Sequence, residues 1–514
     1  MPERAKGATL PARGGPGASA AVGRGGPVGV PAVRVRACNR AGPRPDGEYV
    51  LYWMTAARRA GWSFALQRAA EHALALDRPL VVLEALRADY PFASERLHAF
   101  VLAGMSDNRR SFARRPVAYH PYVEPAPGAG RGLLEALAAR ACIVVADDAP
   151  VFFLPRMLRA AAARVGVLLE AVDGIGLLPL AATAAVFPTA FAFRRLLQAV
   201  LPAHLGQPPK RDPLAGVRLR EPAALPAEVV RRWPAAPPDL LAGEPRALAA
   251  LPVEHRVAPV PGVRGGTRAG RTALRRFLDR GLEGYTERRA RPGEGRSGLS
   301  PYLHFGHLGP HEVFAAVAEH EGWEPRRLGV RATGRRSGWW GMGTGAEAFL
   351  DQLVTWRELA VNFAARREDG ESFESLPPWA RTTLERHAGD PRPRLYPPDR
   401  LEASGTHDPL WNAAQEQLRR EGRIDPYLRM LWGKKILEWS ASPREAMAVA
   451  LELNNRYALD GRDPNSTAGV AWCLGRYDRP WGPERPIFGT VRYMSSAATA
   501  RKLAVADYLA RFAP

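Results

Sequence analysis

Strand-like patterning is confined to the first half of this chain, and that asymmetry is its strongest constraint on fold. Short apolar runs recur at 49–54 (YVLYWM), 79–86 (PLVVLEAL) and 141–148 (ACIVVADD), with helix-length stretches at 63–76 and 133–140 between them. Runs of that length separated by helices are strands covered on both faces, which predicts a parallel, Rossmann-like sheet with crossover helices. Past residue 266 such runs almost vanish. Helical spacing takes over at 274–285, 310–319, 346–365, 410–421, 426–439 and 443–457, so the second half is predicted to be all-α. Ser442, Pro443 and Glu445 mark one helix start, as N-cap, first helical residue and capping-box acid.

The residues between these blocks complete the predicted organisation. Residues 1–45 are rich in Gly, Pro, Ala and Arg without apolar period and are expected to be a disordered tail. The α/β domain is expected over 46–204, a proline-rich linker over 205–266 and the helical domain over 267–514. An Arg/Gly-rich insert at about 324–345 interrupts the helices and reads as an exposed loop.

A chain of 514 residues with a formal charge of +20 carries a field that favours polyanions, nucleic acid above all. Cys38, Cys142 and Cys473 are widely spaced and fit no metal pattern, so they read as free thiols in a reducing compartment. With no membrane-length apolar run and no secretory h-region, a cytoplasmic location is expected, nucleoid-associated in a prokaryote. A monomer is the default.

Chemistry has few places to reside. There is no HExxH, no GxSxG elbow and no Walker loop. The glycine run 341–345 lacks a preceding strand and the spacing of a dinucleotide fingerprint. His304, His307 and His311 have helical spacing, but two glycines and a proline interrupt them, so capping or core roles are expected rather than a metal. In the α/β half, Met54, Thr55, Glu84 and Asp147 fall at strand carboxyl ends, where such sheets bind small molecules.

The C-terminal half is richer. Five of the thirteen tryptophans stand at 411, 432, 439, 472 and 481, interleaved with cations. Arg429, Trp432, Ile436 and Trp439 form one helical stripe, with Trp432 and Trp439 roughly 10 Å apart along the axis. That stripe is either a core seam or a route for single-electron hops. Arg429 on it requires an acid or an anion, and Asp460 is a suitable partner. Ser297, Gly298, Leu299 and Ser300 offer hydroxyls and free backbone N–H groups ahead of an apolar turn, as a phosphate contact or a plain helix start.

The strings SPYLHFG from Ser300, HDPLWNAAQ from His407, YLRMLWGKKILEW from Tyr427, LNNRYALDGRDPN from Leu453, AGVAWCLG from Ala468 and VRYMS from Val491 together resemble the class II cyclobutane pyrimidine dimer DNA photolyases. The resemblance spans roughly 48–512. It implies an α/β antenna domain and a helical domain that binds FAD, with UV-damaged DNA as partner. Tyr285 and Ser297–Ser300 are implied as ribose and phosphate contacts, Arg429 with Asp460 as the salt bridge beside the flavin, and Asn454 as the residue facing flavin N5. Trp432 and Trp411 are implied as proximal and distal members of a photoreduction chain, Trp439 having no assigned part. Trp356, Met430 and Trp472 are implied as walls of the dimer pocket, and Arg462 as a DNA contact. The implied reaction transfers an electron from excited FADH⁻ to a flipped-out dimer and recovers it after ring splitting. In place of the family's two glutamates stand Asp351 and Gln352, and Gln352 can donate to a thymine carbonyl without supplying an acidic proton. This departure keeps a cryptochrome-like light-signalling flavoprotein as the alternative. For the antenna, 8-hydroxydeazaflavin, a folate or an empty crevice all remain open.

Overall fold

The computed structural model describes residues 29–222, 224–288 and 296–513. Its first half is a six-stranded sheet in the order β1-β6-β5-β2-β3-β4, formed by Val35–Ala37, Leu169–Asp173, Ala141–Asp148, Tyr49–Met54, Leu80–Leu86 and Val117–Val123 respectively. Strands β2 to β6 run parallel, and β1 closes one edge antiparallel to β6. The central strands are apolar and buried on both faces, as a doubly covered sheet requires. Besides β1, two strands escape the sequence pattern for physical reasons. β4 carries Pro121, which is tolerated because β4 is an edge strand, and β6 (LEAVD) alternates acids with apolar residues.

Two expected boundaries need correction. Residues 1–28 lie outside the described part, but the rest of the expected tail is not disordered. Val35 pairs with Val172 in β1, and the Arg34 guanidinium donates to the Gly176 and Leu177 carbonyls beside Asp173. These contacts are more than 130 residues distant in sequence, so local composition cannot reveal them. Nor is 205–266 a free linker. It holds the short helices Ala227–Arg232, Pro238–Ala242 and Pro245–Ala249. Val229 and Trp233 pack against Leu133 and Leu137, while Leu240, Leu241 and Leu248 pack against Leu102 and Met105. Prolines start its helices, and the buried leucines strap the segment to the α/β domain.

The second half is helical among the described residues beyond 266. Helices Pro426–Trp439 and Pro443–Tyr457 begin where their caps direct. Ser442 Oγ accepts from Glu445 N at 3.1 Å, and Glu445 reaches back to Ala441 N at 2.9 Å. The stretch expected as one helix at 346–365 is instead Thr344–Leu350, a π-helical turn Asp351–Trp356, and Arg357–Arg366. Such insertions re-aim side chains and gather at functional sites. Helix Arg357–Arg366 packs on helix Pro464–Cys473.

Buried polar contacts join the two halves. Arg96 donates to the carbonyls of Ala258 at 2.9 Å and Tyr457 at 2.6 Å, and Glu358 accepts from Leu177 N at 2.7 Å and Leu178 N at 3.0 Å. No described helix is long and apolar enough to cross a membrane.

Candidate active site in the helical half

Arg429 is the hub of a polar cluster. Its Nη2 donates to Asn454 Oδ1 at 2.9 Å and to Ser466 Oγ at 3.1 Å, and lies 3.7 Å from Asp460 Oδ1. Three helices therefore converge here, because Arg429, Asn454 and Ser466 stand on Pro426–Trp439, Pro443–Tyr457 and Pro464–Cys473. The Asn454 amide also donates to Asn455 Oδ1 and Ser466 Oγ, both at 3.1 Å, which fixes its orientation. Arg429 Nε is buried and has no partner among the described residues, so the guanidinium keeps unspent donor capacity.

The loop 296–299 joins the same end of the structure. Arg296 Nη2 pairs with Asp425, the residue that caps helix Pro426–Trp439, while Arg296 Nε and Nη1 are buried without a partner among the described residues. Leu299 N donates to Ser297 Oγ, and Gly298 takes a left-handed φ of +69° with open space where a Cβ would stand. Ser300 opens the short helix Ser300–His304, at whose far end His304 Nδ1 lies 3.2 Å from Asp463 Oδ2. Burial, the largest single influence, opposes the Asp463 charge, but the hydrogen bond and charge of His304, the Arg357 charge and the Asn465 N–H together outweigh it and hold the carboxyl below its usual range. Tyr285 is buried between Phe277 and Phe349, 5.7 Å from each ring centroid.

The tryptophans sort by contact. Trp432 Nε1 donates to Gln415 Oε1 at 2.9 Å, and Trp411 Nε1 donates to the Trp432 carbonyl at 3.0 Å. Trp411, 0 % exposed, then meets Trp439 edge-on with centroids 5.5 Å apart. Trp439 in turn touches half-buried Tyr396 at 5.5 Å and exposed His407 at 5.3 Å. Trp411 thus touches the main chain of Trp432 on one side and the ring of Trp439 on the other, and Trp439 lies between it and Tyr396 and His407. Trp411 reaches both from the neighbouring helix Pro409–Glu421.

Across the helix from this series lies an indole pair. Trp356 and Trp472 stack with centroids 4.6 Å apart and planes inclined by 17°. Met430 approaches the same region, its Sδ 4.0 Å from Cys473 Sγ. Gln352 is half-buried in the π-helical turn; its carbonyl accepts from Arg357 N, and its side chain hydrogen-bonds to no described residue. Asp351, noted in the sequence only as standing in place of a glutamate, is the anchor of this wall. It receives Arg194 at 2.8 Å and Trp356 Nε1 at 3.2 Å.

Arg462 does not serve as a surface contact. It is 4 % exposed, takes a left-handed φ of +64°, donates to the Gly461 carbonyl and lies against His304 and Phe305 at the domain boundary. The DPN turn that follows it directs the side chain inward. Surface cations occur instead at Arg479 and Arg492, which flank the Trp481 ring at 4.3 and 5.0 Å.

A second site lies beyond the carboxyl ends of β2, β3 and β5, a cavity of about 600 Å³ whose lining includes Thr55, Asp147, Tyr122 and Met157, closed by residues 303–306 of the helical half. Met54 and Glu84 do not reach it, because Met54 is core and Glu84 is bound by Arg58, Asn108 and Tyr119. Asp147 is held by Tyr52 and by the N–H groups of Thr55, Ala56 and Ala57, which orders the loop at the cavity mouth. The glycine run 341–345 binds no anion of its own. Amides at 338, 341 and 342 donate to Glu347, and that of Gly343 donates to Glu321. His307 and His311 are buried core histidines, the second edge-on to Phe64.

No protein-family model matches the chain. It is 34 % identical over 488 residues to the deoxyribodipyrimidine photo-lyase of Methanothermobacter thermautotrophicus, covering 93 % of this chain and 98 % of that protein. It is 32 % identical over 494 residues to the enzyme of that name from Oryza sativa subsp. japonica, covering 93 % and 89 %. Among solved structures, a class III photolyase from Agrobacterium tumefaciens matches with a TM-score of 0.63 at 16 % identity, over 91 % of this chain and 86 % of that one. A cryptochrome from Synechocystis sp. PCC6803 matches with a TM-score of 0.65 at 15 % identity, over 90 % and 88 %. At such identities these two establish the shared fold. Photolyases and cryptochromes generally bind FAD, and the spare donors of Arg296 and Arg429 fit an anionic flavin nucleotide. Sequence likeness over nearly the full length of both chains, with the same two-part fold, places this protein in the deoxyribodipyrimidine photo-lyase family.

Proposed function

We propose that this protein is a class II photolyase that repairs cyclobutane pyrimidine dimers in UV-damaged DNA, using light and reduced FAD. The observation that carries this reading is the crowding of three functions onto one helical turn. Arg429 faces the Asn454 and Asp460 cluster, Met430 touches Cys473, the chain neighbour of Trp472 in the Trp356 and Trp472 pair, and Trp432 heads the tryptophan series. An electron donor seated at Arg429 would thus have the lesion pocket on one side and a refilling route on the other.

FAD, when bound, supplies the light-absorbing electron donor. Ser297 to Ser300 with Arg296 would hold its phosphates, and Tyr285 would pack beside the ribose. Arg429 and Ser466 orient the Asn454 amide so that its position beside the flavin ring is set before binding. Arg429 also brings positive charge that favours a reduced, anionic ring, with Asp460 limiting that charge. Trp356 and Trp472 would separate to receive the flipped dimer, since flat apolar walls suit paired pyrimidines that stack poorly in the duplex. Gln352 would donate to a carbonyl of the dimer. The cavity beyond β2, β3 and β5 would hold an antenna chromophore, of which 8-hydroxydeazaflavin and a folate are the two classes to test.

The experiment is repair itself. Flavin-loaded, reduced protein illuminated with a dimer-bearing oligonucleotide should restore the two thymines, read by chromatography. Bound flavin with photoreduction but no restored thymines would instead establish the cryptochrome-like alternative.

A further inference from the structure

The Arg/Gly segment 325–343 takes no part in the site described above, yet it is built to present charge. Its nineteen residues include five arginines and no acid. We propose that it is an additional DNA-contact wing, which grips the phosphate backbone beside the lesion pocket. This rests on the reading of the protein as a lesion-binding enzyme.

The wing is anchored. Trp339 and Trp340 are buried, Trp340 lies 5.4 Å from Phe314, and Trp323 Nε1 donates to the Trp340 carbonyl at 2.6 Å. On its other side the Gly334 carbonyl accepts from Arg194 at 3.1 Å, Gly334 N donates to Gln198 at 2.7 Å, and Gln198 donates to the Arg335 carbonyl at 3.0 Å. Gly334 has φ +75°, and a Cβ there would strike Arg195 and Phe191, so the loop closes onto helix Ala190–Val200 as glycine alone permits.

Its position is fixed by the pocket wall. Arg336 Nε lies 3.7 Å from Asp351 Oδ2, the same oxygen that receives Trp356 Nε1, and Trp356 stacks on Trp472. The wing is therefore two contacts from the indole pair. Its outward charge is unspent. Arg331 and Arg335 are exposed and make no ion pair among the described residues, as is true of Arg195 across the glycine contact. Phe191, 55 % exposed, lies among them. By contrast Arg326 is paired with Glu324 and Arg327 donates to the Glu321 carbonyl, so they belong to the anchor. Unpaired guanidinium groups on a rigid, acid-free loop beside a base-receiving pocket match the phosphates that flank a flipped-out lesion, and the affinity they add is independent of sequence.

The test uses the full-length, flavin-loaded protein carrying Arg195→Gln, Arg331→Gln and Arg335→Gln together, with a control carrying Arg164→Gln, Arg231→Gln and Arg246→Gln in the α/β half. Affinity for lesion-bearing and undamaged duplexes is measured between 50 and 200 mM salt. The wing variant should lose roughly 2–3 units of the salt slope and bind both duplexes about tenfold or more weakly at the upper salt limit. Its flavin content, melting temperature and repair of saturating lesion DNA should match the parent, and the control should bind as the parent does. An unchanged slope, or an equal loss in the control, overturns the wing. Failure of the parent to repair lesions is seen separately and overturns the enzyme reading without deciding the wing. A wing variant that binds DNA normally while losing an acidic protein partner also overturns it.

Discussion

Trp411 donates its indole N–H to the main-chain carbonyl of Trp432 at 3.0 Å and meets Trp439 edge-on at 5.5 Å. This bridging position makes Trp411 the member whose loss interrupts the series at both joints. In Trp411→Phe, photoreduction of oxidised flavin should lose most of its amplitude, while repair by chemically reduced protein persists. Trp439→Phe should behave alike, because Trp439 is the ring nearest the surface groups Tyr396 and His407. Transient absorption separates the outcomes, and normal photoreduction in Trp411→Phe would remove this route.

Arg429 should be decisive for cofactor retention. Charge-assisted hydrogen bonds are worth about 1.5–3 kcal/mol, so Arg429→Ala should weaken FAD binding by roughly 10- to 100-fold. Asp460→Asn should have a smaller effect on retention, since the pair stands at 3.7 Å and each side chain is partly exposed. It should shift the flavin reduction potential upward, because the neighbouring cation loses its counter-charge. Fluorescence titration and spectroelectrochemistry read the two effects.

Gln352 tests the lesion pocket without disturbing the core, since its side chain hydrogen-bonds to no described residue. Losing one hydrogen bond of about 1 kcal/mol, Gln352→Ala should lower preference for lesion over undamaged DNA roughly fivefold. Flavin content should stay unchanged. Equal preference in the variant and parent would place the dimer elsewhere.

Acid sensitivity should trace in part to His307, alongside His98 and His311, which burial also depresses. The His307 ring is buried against Phe100, with Nδ1 accepting from Gly266 N, and burial pulls its pKa down to about 3. A histidine depressed in the folded state keeps its contribution above the unfolded value near 6.5 and loses it as pH falls, at about 1.4 kcal/mol per pH unit for one proton. Stability should therefore decline between about pH 6.5 and 3, and His307→Gln should make that decline shallower by one proton's worth. Urea unfolding at several pH values checks it, and identical slopes would discount His307.

Much was legible before any contact was known. Strands buried on both faces need unbroken apolar runs, so β2, β3 and β5 announce themselves, and cap residues mark helices such as Pro443–Tyr457 within local sequence. The Arg429 and Asp460 partnership follows from the cost of leaving a guanidinium unpaired on an apolar stripe. Edge strands β1 and β4 and the strapped segment 205–266 were not legible, because their order comes from hydrogen bonds and leucine packing to distant residues.

The sequence by itself determined an α/β half followed by a helical half, and a likeness that named the chemistry, since periodicity and residue type are local properties. Tertiary packing alone decided that Trp411 bridges Trp432 and Trp439, that Arg462 turns inward, and that an Arg/Gly loop stands beside the Trp356 and Trp472 pair. Those are relations between residues on different elements, and their geometry exists only once helices converge and buried polar groups find their partners.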